Sequence, residues 1–482
     1  MKTKSLLKLP LMLVLIFGLA ISCDGDNDSL PDEIAVDTRG MNFFTSGGSN
    51  SFTITAPTYV AWAIDTDADW LTLTSEAGDP IESGLASATI NVNADANLNE
   101  SEKTALITVY TTTTQIDIEV TQDFRLSTID ADASEMSDFT AVQLTGEMGV
   151  GWNIGNSLDA VGGETAWGNP PVNKDLIDAV KAAGFNTVRI PIAWSNYIEE
   201  GDPNYTISHE GLTRVEEVIN YVLENDMFAI INIHYDGGWM NEPTYERQDY
   251  INDRLDKMWK QIAIYFRDYD YHLVFAGTNE VLYEGDYSEP TEEYYTVQNS
   301  FNETFINTVR ETGGRNAYRF LTIQGFNTNI DHAVNYAVIP EDTVEDRMLM
   351  EVHYYDPYDF TLNVENDDIW QWGSTTTDPS ATAGWGEENH LETQFQKVED
   401  AFVANGLGVI LGEYGASARL NVEGHKAYRE DYVQKVTASA LSHGMVPVIW
   451  DNGYTDDHNM GLFRRSTGEE IFPDLIDAVT EN

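Results

Sequence analysis

Two patterns of apolar and polar positions divide the chain. From residue 34 to about residue 124, apolar residues come in short, mostly alternating runs. These are Ser51-Phe52-Thr53-Ile54-Thr55, Trp62-Ala63-Ile64, Trp70-Leu71-Thr72-Leu73, Ala88-Thr89-Ile90-Asn91-Val92, Ala105-Leu106-Ile107-Thr108-Val109-Tyr110 and Ile116-Asp117-Ile118-Glu119-Val120-Thr121. Successive side chains of a strand face opposite ways, so a period of two predicts half-buried strands. Turn formers at Gly47-Gly48, Gly78-Asp79-Pro80 and Asn97-Leu98-Asn99 separate them, which predicts a small Ig-like β-sandwich. Residues 125–145 read as a connector. From residue 146 to residue 482 strand-like, largely apolar runs alternate with helical ones. The apolar runs span 150–154, 187–191, 228–234, 273–275, 320–323, 349–353, 408–411 and 446–450. Between the early ones, Leu176, Ile177 and Val180 share a helical face that Gly184 can end, and Leu212, Val215, Val218, Ile219 and Val222 repeat it. Leu255, Met258, Trp259, Ile262 and Phe266 do so again. Eight such alternations predict a (β/α)8 TIM barrel. A doubly wound open sheet usually carries a Gly-rich phosphate loop after its first strand. Here that loop reads Gly151-Trp152-Asn153-Ile154-Gly155-Asn156, without GxGxxG, and no Walker, GxSxG or HExxH motif occurs.

In a barrel the chemistry collects where strands finish. Those positions hold Asn156, Arg189, His234, Asn279 with Glu280, His353 with Tyr355, Glu413, and Trp450. Two carboxylates at a barrel mouth are what cleavage of a glycosidic bond requires, one attacking and one moving a proton. Glu413 is expected to attack and Glu280 to protonate the leaving oxygen, then activate water. Arg189 and Tyr355 are placed to donate to Glu413, Asn279 to hold a sugar hydroxyl, and the two histidines to bond hydroxyls or orient carboxylates. Trp450 offers a flat apolar face. Further aromatics fall in loops: Trp167, Trp239, Trp370, Trp372, Trp385, Tyr354 and Tyr358. Trp239 is expected among those supporting substrate, and about half of the set as packing. This chemistry needs no cofactor and no metal; the acidic run Asp24 to Asp28 is followed by Ser29 where an EF-hand loop has its sixth-position glycine, and it lacks the terminal glutamate.

Charge narrows the partners. Against 26 Lys and Arg stand 80 Asp and Glu, a formal charge of -54, which repels phosphate backbones and excludes nucleic acid. The only cysteine, Cys23, follows a basic start and the apolar stretch from Leu6 to Ala20. This resembles a bacterial lipoprotein signal, with residues 1–22 removed, Cys23 lipidated and 23–33 an acidic linker. That resemblance implies a lipid anchor in the outer membrane, on the cell surface.

The barrel region resembles glycoside hydrolase family 5. The motifs are GWNIGNSLDA from 151, NTVRIPIAW from 186, INIHYDGGW from 231, VFAGTNE from 274, EVHYYDPYDF from 351, LGEYGA from 411 and IWDNG from 449. Their wording looks like subfamily 4, which holds endo-β-1,4-glucanases and xyloglucanases. The resemblance implies Glu280 as acid/base, Glu413 as nucleophile, and Arg189, His234, Asn279, His353, Tyr355 and Trp450 as the supporting set. One departure is Ala276-Gly277-Thr278, where relatives often carry Glu-Gly or Glu-Leu; another is Val281 where they have proline. Residues 34–124 resemble the BACON-type Ig-like modules that precede carbohydrate enzymes, with Trp62 and Trp70 expected in the core. The implied activity is retaining, endo-acting hydrolysis of a β-1,4-glucan: xyloglucan first, then cellulose or mixed-linkage glucan. An endo-β-mannanase and a catalytically silent surface lipoprotein that binds glycan are the alternatives.

Overall fold

The computed structural model describes residues 34–481 apart from 46, 98–100 and 366. The signal segment 1–22, Cys23, the linker 23–33 and most of the turn at Asn97-Leu98-Asn99 lie outside the described residues.

The N-terminal domain contains β1 (Ala35–Val36), β2 (Gly40–Phe43), β3 (Gly48–Thr55), β4 (Ala61–Thr66), β5 (Leu71–Ser75), β6 (Ser83–Leu85), β7 (Ala88–Ala94), β8 (Lys103–Tyr110) and β9 (Gln115–Gln122). One sheet has the order β1-β3-β7-β5 and the other β2-β9-β8-β4-β6, so the domain is a sandwich. Period-two alternation turns Phe52, Ile54, Ile90, Val92, Ile107, Val109, Ile118 and Val120 into one shared core. The sequence pattern contained no sign of β1, β2 and β6. At two, four and three residues they are too short to show a period. Backbone pairing alone defines them, including the parallel pair of β2 with β9. Trp62 is 3% exposed and its indole N–H donates to the Ala86 carbonyl at 2.7 Å, so it is core. Trp70 is only partly buried against that core.

The stretch read as a connector is partly folded into the next domain. β10 (Ile129–Ala131) precedes α1 (Ala141–Met148), which opens on a capping box between Thr140 and Gln143. Two turns are too few for a periodic signal. Even so, α1 buries Ala141, Leu144 and Met148 among Ile230, Val274, Leu349, Ile410 and Val448 of the barrel interior. The barrel domain therefore begins before residue 146.

The barrel strands are β11 (Gly151–Asn153), β12 (Thr187–Ile190), β13 (Phe228–Asn232), β14 (Leu273–Ala276), β16 (Leu321–Asn329), β17 (Met348–Tyr354), β18 (Gly408–Tyr414) and β19 (Met445–Ile449). They close in that order, all parallel, and β11 meets β19 through Gly151 and Val448. A two-residue β15 (Gly313–Gly314) stands outside the ring and pairs with β10. Helices α2 (Lys174–Ala182), α3 (His209–Leu223) and α4 (Tyr245–Tyr265) bury the faces the sequence pattern assigned them. Asn173 caps α2 by accepting the Leu176 N–H. Among the described residues no helix is long and apolar enough to cross a membrane.

Inward-facing side chains change character along the strands. Near the α1 end they are apolar, with Val274, Leu349, Ile410 and Val448 buried together. At the opposite end they are polar: Asn153, Arg189, Gln324 and Glu351 are all fully buried. β18 also breaks its own alternation. Val352 pairs with Leu411, but the next partner of β17, His353, pairs with Glu413, so β18 carries one extra residue. Ile410 and Gly412 face inward, and regular alternation would turn Glu413 outward. The bulge turns it in.

Candidate active site

Glu413 is 5% exposed and held by two donors. Arg189 Nη1 donates to Oε1 at 3.1 Å and the Tyr355 hydroxyl to Oε2 at 3.1 Å. Burial works against the Arg189 charge, but the Glu351 and Glu413 carboxylates outweigh it and raise its pKa. Burial, together with the charges of Glu413 and Glu280, pushes the Tyr355 phenol well above its ordinary value, so it stays a donor. Burial also raises the Glu413 carboxyl. His353 and Arg189 pull it down, and the charge of Glu280 pushes it up. The repulsive contribution from Glu280 vanishes once that neighbour carries a proton. Glu280, Glu413 and His353 each offer one atom within a 4.8 Å span. Retaining glycosidases separate their carboxyls by about 5–5.5 Å, inverting ones by roughly 6.5–9.5 Å.

Glu280 follows β14 and has a side chain 40% exposed, the most open of the charged groups here. His353 Nδ1 lies 2.6 Å from its Oε1. Burial lowers the His353 imidazolium pKa, but Glu413 and the hydrogen bonds with Glu280 and Glu351 lift it to about 10. Both ring nitrogens are engaged, Nε2 with Glu351 at 3.3 Å, and Arg189 already supplies the neighbouring positive charge.

Hydrogen-bond polarity settles two further groups. Arg189 Nη2 donates to Asn279 Oδ1 at 2.6 Å, which turns the Asn279 amide N–H toward the cleft. Asn232 Oδ1 accepts the Ile192 N–H at 3.2 Å, so its Nδ2 donates to His234 Nδ1 at 3.3 Å. The hydrogen of His234 is then on Nε2. Burial holds that imidazole well below its ordinary pKa, with help from Arg189 and His353, so it is neutral. Trp450 stacks on the His234 ring at 5.8 Å and 10°. A cavity of about 190 Å³ beside Glu280 is lined by His234, Tyr235, Asn241, Asn279, Glu280 and Asn327, among others.

Two sequence-assigned residues stand apart. Asn156 sits in a left-handed turn (φ 56°) whose amide donates to Asp159, and no hydrogen bond joins it to either paired glutamate. Trp239 is 8% exposed, donates to Asp236 Oδ2 at 2.6 Å and lies 4.2 Å from the Arg254 guanidinium. It braces the loop after β13, with one face against Arg254. Of the aromatics expected in loops, Tyr354 instead ends β17 and is buried, as is Trp372, whereas Trp167, Trp385 and Tyr358 are exposed.

Sequence reasoning missed Asn153, Thr278, Gln324 and Glu351. Asn153 Oδ1 accepts from Arg189 Nη1 at 3.0 Å. Thr278 donates N–H and hydroxyl to Gln324 Oε1 at 3.0 and 3.1 Å, and Gln324 Nε2 donates to Glu351 Oε2 at 2.7 Å. The available signal was a polar residue at the inward register of an apolar strand, as in Leu349-Met350-Glu351-Val352-His353. Gly412 makes room for this layer, because a Cβ there would overlap the Glu351 carboxylate. Gly412→Ala should cost about 1–3 kcal/mol, the usual range for overpacking a tight core, and lower turnover with it. Urea unfolding checks this; wild-type stability would show that Glu351 moves aside freely.

A closed barrel with two facing carboxylates at the ends of its fourth and seventh strands has the equipment of a glycosidic-bond hydrolase. Comparison with known proteins agrees. The family model described as cellulase (glycosyl hydrolase family 5) matches residues 153–456. The chain is 38% identical over 484 residues to the xyloglucan-specific endo-beta-1,4-glucanase BoGH5A of Bacteroides ovatus, covering 95% of this chain and 93% of that one. The Bacteroides ovatus GH5 xyloglucanase in complex with a XXXG heptasaccharide superposes with a TM-score of 0.70 at 36% identity, over 93% of this chain and 99% of that one. A GH5-4 broad specificity endoglucanase from Bacteroides salanitronis gives 0.68 at 36% identity, over 72% and 96%. The protein belongs to glycoside hydrolase family 5 and resembles its subfamily 4 in sequence and fold.

Proposed function

We propose that this glycoside hydrolase cuts β-1,4-glucan chains internally with retention of configuration, and that xyloglucan is its preferred substrate. The observation carrying the mechanism is the short gap between Glu280 and Glu413, with Glu413 gripped by Arg189 and Tyr355. Glu413 attacks the anomeric carbon as Glu280 protonates the departing oxygen. Glu280, now a carboxylate, deprotonates the water that releases the sugar from Glu413. Asn279 donates to the 2-hydroxyl, where hydrogen bonds strengthen as the ring gains positive charge. His234 donates through Nε2 to a second hydroxyl, and Trp450 covers the apolar face of the same sugar. The preference for xyloglucan is supported by the likeness to the Bacteroides ovatus enzyme along nearly the whole chain, sandwich included.

Cys23 would anchor the enzyme by lipid in the outer membrane, facing outward. Residues 34–124 would act as a BACON-type spacer: the core position of Trp62 leaves that ring unavailable as a sugar platform. The second reading, a broad-specificity endoglucanase, is favoured by the likeness to the Bacteroides salanitronis protein.

Reducing-end release from xyloglucan, mixed-linkage glucan, carboxymethylcellulose and mannan, run side by side, separates the readings. Xyloglucan is expected to be cut fastest, with a rapid fall in viscosity. Equal rates on the three glucans would favour broad specificity. Mannan as the best substrate would overturn both.

A further inference from the structure

Glu351 is fully buried beneath the catalytic pair and cannot touch substrate, yet it meets His353, which in turn meets Glu280. The Thr278 N–H can only donate, so Gln324 Oε1 accepts it and Gln324 Nε2 must face Glu351 Oε2, at 2.7 Å. Glu351 Oε1 forms an ion pair with Arg189, 2.8 Å from Nε, and lies 3.3 Å from His353 Nε2. Ion-paired with the Arg189 guanidinium and accepting from Gln324 Nε2, Glu351 is a carboxylate, so His353 Nε2 is the donor in their contact. The other nitrogen, Nδ1, faces Glu280 Oε1 at 2.6 Å.

Charge counting then assigns the remaining proton. A buried centre tolerates little net charge. With Arg189 and an imidazolium His353 as cations, two anions balance the site. If those are Glu351 and Glu413, Glu280 is free to hold a proton. Without the charge of Glu351, balance would require either an ionised Glu280 or a neutral His353.

We propose that Glu351 is a positioning residue: the buried countercharge that keeps His353 an imidazolium donating its Nδ1–H to Glu280 Oε1, so that Glu280 is aimed at the leaving oxygen it protonates. This rests on the retaining glycosidase reading above. The proton moves from Glu280 to the glycosidic oxygen as the bond from the anomeric carbon to that oxygen breaks. The bonding pair goes to the oxygen while Glu413 bonds to the carbon. The groups facing His353 are Glu351 on its own strand, Glu413 from β18, Glu280 from the end of β14, Arg189 from β12 and neutral His234 from β13. The electrostatics of Glu351 agree: burial pushes its carboxyl up, but Arg189 and His353 hold it at about 2.

The test uses the full chain carrying Glu351→Gln and two aryl β-cellobiosides. One releases phenol, which needs a proton, and the other 2,4-dinitrophenol, which does not. The variant should lose about 100-fold in kcat/KM on the phenyl substrate and less than about 5-fold on the dinitrophenyl one, within the usual range for acid assistance. The basic limb of its phenyl pH profile should move to lower pH by about one unit or more, because the proton of the His353–Glu280 pair is lost more easily. Glu351→Asp, which keeps the charge, should recover part of the phenyl rate. Equal losses on both substrates with unmoved limbs would reduce Glu351 to a structural role and overturn the proposal. So would a neutral His353 at pH 7 in the 15N spectrum of the labelled wild-type protein, a measurement that needs no variant. Failure of the wild type to release either phenol would refute the glycosidase reading instead.

Discussion

Glu413→Gln is expected to lose at least about 1,000-fold in kcat on glucan, and Glu280→Gln to fall comparably on substrates with poor leaving groups. A carboxamide in place of the Glu413 carboxylate cannot bond to the anomeric carbon, so no covalent intermediate forms. A carboxamide in place of the Glu280 carboxyl has no acidic proton for the departing oxygen. Because both losses are large, rate alone does not distinguish the two roles, but azide does. In Glu413→Ala, azide should occupy the vacated space and attack 2,4-dinitrophenyl cellobioside directly, giving the α-azide. In Glu280→Ala, Glu413 still forms its intermediate, which azide then attacks from the opposite face to give the β-azide. NMR of the products reads the anomer. Exchanged anomers would exchange the two assignments, and near-normal turnover in either Gln variant would remove that residue from the chemistry.

The second large effect concerns stability as well as rate. Arg189 is fully buried, ion-paired with Glu351 at 2.8 Å and Glu413 at 3.1 Å, and hydrogen-bonded to Asn153 and Asn279. Arg189→Met keeps most of the side-chain volume but leaves two carboxylates buried without their cation. Breaking a buried pair in this way typically costs about 3–5 kcal/mol. The deficit should depend on pH in a defined direction. In the wild type the Glu351 pKa is depressed from 4.5 to about 2. Its contribution to stability is therefore fully present above pH 4.5 and is lost as pH falls toward 2. The gap between wild type and Arg189→Met should be widest near neutrality and narrow as the medium is acidified. Urea unfolding at pH 7 and pH 4 measures it. A constant gap would mean that Arg189 acts through packing alone. Activity should fall with the substitution too, since Glu413 and Asn279 both lose the group that aims them.

Much of this protein is determined by local pattern. A period of two in 34–124 and alternating apolar and helical runs beyond it specify a sandwich followed by a barrel, because each period buries one face of one kind of element. The barrel in turn says where to look: polar side chains that end apolar strands converge at one mouth, which is why Glu280, His353 and Glu413 were legible without coordinates. The exposure of an aromatic was not legible. Trp239 and Trp385 look alike in sequence, but one is sealed under Arg254 and the other is open. The plug helix α1 was hidden by its brevity, since its eight residues matter only through the barrel floor they meet. The inward turn of Glu413 was hidden as well. Strand alternation argues against it, and only the register slip between β17 and β18 produces it. Glu351 marks the boundary most clearly. The chain shows a carboxylate two residues before His353, but its significance depends on Arg189, Gln324 and the bare backbone of Gly412, each on a different strand. Periodicity follows from neighbours along the chain. Charge balance in a closed barrel depends on neighbours around the ring, and those exist only once the ring has closed.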